Sequence, residues 1–160
     1  MKVAAWIMVV LLLAGVAGVI YLYATSQITV EGLGAQAYEA QSQQAYFDDL
    51  KQRMENGTVL GTVFQNTPLG ESSQYAFFTY TVRLRNDCMV PADMVEVQIV
   101  PTDKDILQLG DTSPKSLPRK SRGDITATIL TARDSDPMRE IIITYYVWGK
   151  PFSIKTTYSR

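Results

Sequence analysis

Four cations, Lys115, Arg119, Lys120 and Arg122, fall within eight residues. Together they could meet an acidic polymer or an anionic surface. A charge run in a loop is more often simply solvated, and that reading is preferred here. Carboxylates gather at Asp103-Lys104-Asp105 with Asp111, and again at Asp134-Ser135-Asp136. A calcium loop needs alternating oxygen ligands, a central Gly and a terminal Glu, which neither stretch has, so turn and cap roles are expected. Arg122-Gly123-Asp124 matches an integrin-recognition tripeptide only if it sits on a loop tip. It directly precedes an alternating stretch, so Gly123 is expected to serve a backbone turn and the two charges to be solvated.

The residues that are missing narrow the chemistry further. The chain has no histidine, which removes His-based triads, His-ligated zinc or haem and the commonest general base. Its single cysteine, Cys88, sits in the turn-like Asn86-Asp87-Cys88-Met89-Val90-Pro91 and has no second cysteine for an internal disulfide. A thiol nucleophile needs a neighbouring base. A partly buried small apolar residue is therefore expected, with an intermolecular disulfide as the alternative. There is no Gly-rich phosphate loop, CxxC or GxSxG. No catalytic, cofactor-binding or metal-binding residue is assigned.

The elements that would carry these residues begin with an apolar run from Val3 to Ala24, 22 residues long. As a helix it reaches about 33 Å, enough for a hydrocarbon core of about 30 Å. Trp6 near one end and Tyr21 and Tyr23 at the other fit interfacial aromatic belts. A cleaved signal peptide is the rival, with Lys2 as its positive start and Ala24-Thr25-Ser26 as a weak cleavage site. The apolar stretch runs past signal length, and an anchor is preferred. No Lys or Arg occurs from Val3 through Leu50. The positive-inside rule then keeps the amino terminus cytoplasmic and puts residues 25–160 outside. Ala14 and Gly18, with Gly15, make a small-xxx-small face that would admit a homodimer seam, though such residues are common in membrane helices.

Fifteen basic residues less Lys2 leave 14 against 16 acids, a net charge of −2 for the exported part. That is not the balance of a nucleic-acid binder. Residues 25–57 are expected to form an exit segment and a helical stalk. The exit segment runs to Gly34, with a helix from Ala35 to Glu55 and a stop at Asn56-Gly57. Tyr46 or Phe47, Leu50 and Met54 give that helix one apolar stripe. Asn56-Gly57-Thr58 is also a glycosylation sequon.

From residue 58 the period becomes two. Strands are expected at Thr58 to Gln65, Tyr75 to Arg85, Met94 to Val100, Ile106 to Leu109, around Ile125 to Ile129, at Glu140 to Trp148 and at Pro151 to Tyr158. Glu140 to Trp148 is apolar on both faces and should be central, whereas Pro151 marks a strand start or an edge. About seven short strands describe a mainly β, immunoglobulin-like antiparallel sandwich over residues 58–160. If Tyr75, Phe77, Tyr146, Trp148 and Tyr158 share one face, they expose an aromatic patch fit for a carbohydrate, peptide or partner strand. Cover by the stalk helix through Phe47, Leu50 and Met54 is preferred.

The stretch Val82-Arg83-Leu84-Arg85-Asn86, a Pro-bearing turn, Val95-Glu96-Val97, then Ser116-Leu117-Pro118 before Asp124-Ile125-Thr126-Ala127-Thr128 resembles the membrane-anchored LEA-type-2 and fibronectin-III-like sandwiches. In those an Asn closes one strand and a leucine-proline turn leads into a threonine-rich one. The resemblance covers residues 75–131 and implies fold and topology without any catalytic residue.

The expected function is therefore a non-catalytic, single-pass, membrane-anchored domain for binding or assembly at the cell surface. Its partners are the membrane through residues 3–24 and a protein or polymer outside. The candidate binding residues are Lys115, Arg119, Lys120, Arg122, Tyr146 and Trp148. An accessory subunit of a larger membrane or envelope complex is the alternative, and a carboxylate-based hydrolase comes last.

Overall fold

The computed structural model describes residues 2–24, 27–110 and 115–159. Thr25 and Ser26 of the expected exit segment, and Asp111 of the first acidic cluster, lie outside them. The apolar run is one helix, α1 (Lys2–Ala24), and its side chains are uncovered along its length. Among the described residues it is the one helix long and apolar enough to cross a membrane. Nothing lies within 4 Å of where a side chain at Gly15 or Gly18 would begin.

Strand β1 (Ile28–Glu39) corrects the expected stalk. Residues 28–39 were expected to be an exit segment to Gly34 and the first turn of a helix from Ala35. They instead pair antiparallel with β3 (Tyr75–Asn86), from Ile28 opposite Asn86 to Glu39 opposite Ala76, with an irregularity between Val30 and Gly32. Alanine's helix propensity is worth only tenths of a kcal/mol per residue. The ladder on β3, together with burial of Val30, Leu33 and Ala35 against the core, outweighs it. The sandwich thus starts at residue 28 rather than 58.

The chain then makes a 3-10 turn (Ala40–Gln43) and helix α2 (Gln44–Glu55). Asn56 and Gly57 close α2 as expected: the Gly57 N–H bonds the Met54 carbonyl, and Gly57 takes φ +65°. The remaining strands are β2 (Gly61–Val63), β4 (Ala92–Ile99), β5 (Asp105–Leu109), β6 (Lys115–Leu117), β7 (Ser121–Ala132), β8 (Arg139–Val147) and β9 (Lys150–Tyr158). Two antiparallel sheets face each other, ordered β1-β3-β7-β5-β2 and β6-β4-β8-β9. The long strand β1 and the three-residue strand β6 complete what the period-two stretches left out. Strand β8 is central, and Pro151 lies in the edge strand β9, where its missing N–H costs no ladder bond.

Between the sheets sits the main core, which includes Tyr80, Val82, Leu84, Ile129, Ile141 and Ile143. Phe78, Tyr80, Val82 and Leu84, alternate residues of β3, all reach it. A second core lies on the outer face of the larger sheet, where Phe47 and Leu50 of α2 cover Phe77, Leu107 and Leu130. Phe47 stacks on Tyr75 at 5.5 Å between centroids, and Tyr46 meets Phe77 at the same distance.

Candidate functional site

Antiparallel pairing fixes which loops share an end. Ile28 opposes Asn86, Asn86 opposes Ser121, and Val147 opposes Lys150. The connections at residues 87–91, 118–120 and 148–149 therefore gather at the end where the chain leaves α1. Asn86, fully buried, ties two of them together. Its Nδ2 donates to the carbonyls of Val90, Leu117 and Pro118, each at 3.0 Å, and its Oδ1 accepts the Cys88 N–H at 2.9 Å. Cys88 is buried as expected, and its Sγ–H points to the Gln27 carbonyl at 3.6 Å.

The six candidate binding residues divide between two places. Lys115 on β6 and Tyr146 on β8 line a cleft of about 740 Å³ between the β2–β5 edge and β4. Its described lining contains one carboxylate, Glu96, and one amine, Lys115, rather than a pair of carboxylates. Lys120 and Trp148 line a smaller cleft of about 240 Å³ at the α1 end, with Tyr21, Leu22, Cys88 and Met89. Arg119 is exposed beside Lys120. The expectation that the cluster is merely solvated holds for Arg119 alone. Arg122 pairs with Glu31 at 2.9 Å, and Lys120 donates to the Asp87 carbonyl. Arg85 stands directly opposite Arg122 across β3 and β7, a like-charge pair that would repel. Glu31 and Asp87 relieve it, binding Arg85 at 3.3 and 2.7 Å.

The tripeptide Arg122-Gly123-Asp124 lies inside β7, not on a loop tip. Asp124 takes a two-point bond from Arg83 at 2.9 and 3.0 Å, and that hydrogen bond holds its carboxyl below the usual range. Gly123 makes no turn. A side chain there would begin 2.8 Å from Cδ1 at the end of the Leu117 side chain.

The aromatic patch does not form as one face. Tyr75 and Phe77 go under α2, as preferred. Tyr158 turns inward and meets Tyr80 edge-on at 5.9 Å, because it shares the inward parity of Phe152 and Ile154 along β9. Tyr146 on β8 and Trp148 in the turn after it belong to the side of the other sheet, away from α2, and stay 37% and 48% exposed.

Sequence reasoning missed the centre of the opposite end. Asp105 and Arg139 form a fully buried two-point ion pair at 2.9 and 2.7 Å. Arg139 also donates to Ser135 Oγ at 2.7 Å and to the carbonyls of Asp136 and Met138. Asp105 accepts the N–H of Thr102 at 2.8 Å. Burial alone would raise the Asp105 carboxyl, but hydrogen bonds from Arg139 and Thr102 hold it below its ordinary value. The two acidic segments thus meet around an arginine, with Asp134 on Lys104 at 2.6 Å and Asp136 capping the Met138 N–H. Turn and cap roles describe Asp134 and Asp136, while Asp105 is a core residue. Among the described residues no three metal-ligating groups converge. Neighbouring Tyr80 donates to the Pro137 carbonyl at 2.8 Å, and burial pushes its phenol up to about 12.

The fold and these sites define a β-sandwich carried behind one apolar helix. No protein-family model matches the chain, and no curated protein does. Among solved structures it is similar to the yeast GGA1 GAE domain, titled "Crystal structure of yeast GGA1_GAE domain-P21". The identity is 14% and the TM-score 0.37, over 57% of this chain and 96% of that one.

Proposed function

We propose that the chain is a single-pass membrane protein, amino terminus cytoplasmic, carrying a non-catalytic extracytoplasmic sandwich for binding or assembly at the cell surface. One observation carries this. An uncovered apolar helix ends at Ala24, and the first core strand begins at Ile28. Charge only at Lys2 supports the orientation. The Asn86 bonds to Leu117 and Pro118 join residues that carry the resemblance to LEA-type-2 and fibronectin-III-like sandwiches, and support that narrower kinship. Protease added to intact cells tests the topology: the sandwich should be degraded without lysis, and protection until lysis refutes it.

The larger cleft favours one second reading, an accessory subunit of a membrane complex. Lys115 and Tyr146 would face that partner. Mild-detergent pull-down with mass spectrometry should then return a stoichiometric membrane partner that Tyr146→Ala releases.

A further inference from the structure

We propose that the α1-proximal end of the sandwich is a lipid-contact surface, seated in the headgroup layer of the bilayer. Arg119, Lys120 and Lys150 meet anionic headgroups there, and Trp148 and Met89 enter the acyl boundary. The proposal rests on α1 spanning the membrane.

The tether comes first. Four peptide steps separate Ala24 from Ile28, about 14 Å at full extension. The headgroup region itself is roughly 5–8 Å thick on each side. The sandwich end is therefore held within about 10 Å of that layer, whatever the orientation of α1.

Depth follows from the contacts of the last turn of α1. Tyr21 and Leu22 share the walls of the smaller cleft with Met89, Lys120 and Trp148. The Tyr23 ring lies 5.8 Å from Phe152, and Lys150 Nζ sits 5.0 Å above the same ring. A spanning helix places its terminal tyrosines at the interface. Trp148, Met89 and the two lysines stand at that height.

Side-chain chemistry matches the location. Met89 and Trp148 are 59% and 48% exposed at loop tips, and both line the cleft that the terminal residues Tyr21 and Leu22 of α1 also line. Residues 87–91, 118–120 and 148–150 carry three cations against Asp87 alone, which Arg85 already holds. At the opposite end, residues 64–74, 100–104 and 133–138 carry four Asp or Glu against two Lys or Arg. The basic end faces the bilayer and the acidic end faces away, the polarity that anionic lipid attracts. Trp148 moreover occupies a left-handed conformation, φ +52°, that Asn or Gly adopts without strain.

The chain has two tryptophans, so Trp6→Phe in the full-length protein leaves Trp148 as sole reporter. The protein is reconstituted in vesicles of phosphatidylcholine and phosphatidylglycerol containing lipid brominated near the top of the acyl chain. Trp148 should lose most of its emission to bromine and resist aqueous iodide, and Arg119→Gln with Lys120→Gln should weaken the quenching. Resistance of the protein to alkaline extraction reads the span separately. A chain that is extracted refutes the spanning reading itself. A chain that resists extraction while Trp148 stays unquenched and open to iodide overturns the lipid surface alone. Shielding from iodide without bromine quenching assigns Trp148 to a protein partner and overturns it equally.

Discussion

Asp105 and Arg139 show how a charge can be structural. Removing one partner of a buried pair leaves the other uncompensated, a loss of about 3–5 kcal/mol. Arg139→Ala should cost that much in urea unfolding. The pair also fixes the acid response. Because the folded-state pKa of Asp105 lies below its unfolded value, its contribution is complete above that unfolded value, about 4. It is lost as pH falls through the folded value. Tyr80 sets the alkaline limit: below about pH 10 it is protonated in both states. Between there and about 12 only the unfolded chain ionises, so stability should fall with rising pH across that window. Denaturant titrations across the pH range read both edges. Asn86→Ala leaves buried carbonyls of Leu117 and Pro118 without a donor and should cost roughly 2–3 kcal/mol by the same assay. The sequence marked Asn86 through its place in a recognisable stretch. Asp105 was marked only as one of an acidic run, with a turn or cap role expected, and Arg139 was not marked at all. Pairing across 34 residues follows from sheet topology rather than from any local pattern.

At the scale of elements, periodicity was a sound guide wherever one face of a segment is buried. Strands β3, β4 and β7 lie where alternation put them, and β8 where a run apolar on both faces put it. Strand β1 escaped because Gly32, Gly34, Ala35 and Ala37 have helix-like or loop-like composition, and only the open edge of β3 makes them a strand. Strand β2 shrank to three residues at a crowded crossing. A side chain at Gly61 would begin 2.1 Å from the Gln108 carbonyl oxygen. The α2 cover was legible because Phe47, Leu50 and Met54 recur at helical spacing and needed an apolar face to meet. Phe47→Ala should remove about 3–5 kcal/mol and uncover Phe77, a loss that urea unfolding with a hydrophobic-dye readout would detect. The β8–β9 hairpin turns through Trp148 and Gly149, at φ +52° and +72°. Such a turn prefers Asn-Gly. Trp148→Asn should therefore raise stability by about 1 kcal/mol while weakening the seating of that end on lipid. The candidate cations were found as a cluster in sequence, yet the fold divides them, because β6 carries Lys115 to the opposite sheet from Arg122.

The whole molecule is a polarised object: apolar helix, basic end, sandwich core, acidic far end under α2. Its polarity was only partly visible in the chain, because the net charge is near zero and the separation appears once antiparallel pairing sorts the loops. The proposed functions depend on α1 crossing a membrane and on the sandwich lying outside it. A single sided label measures that most directly. Ser153 is exposed on the edge strand β9, while Cys88, the one native thiol, is buried. With Ser153→Cys and a membrane-impermeant maleimide, intact cells should label the protein to the same extent as lysed cells. Labelling that appears only after lysis would contradict the account.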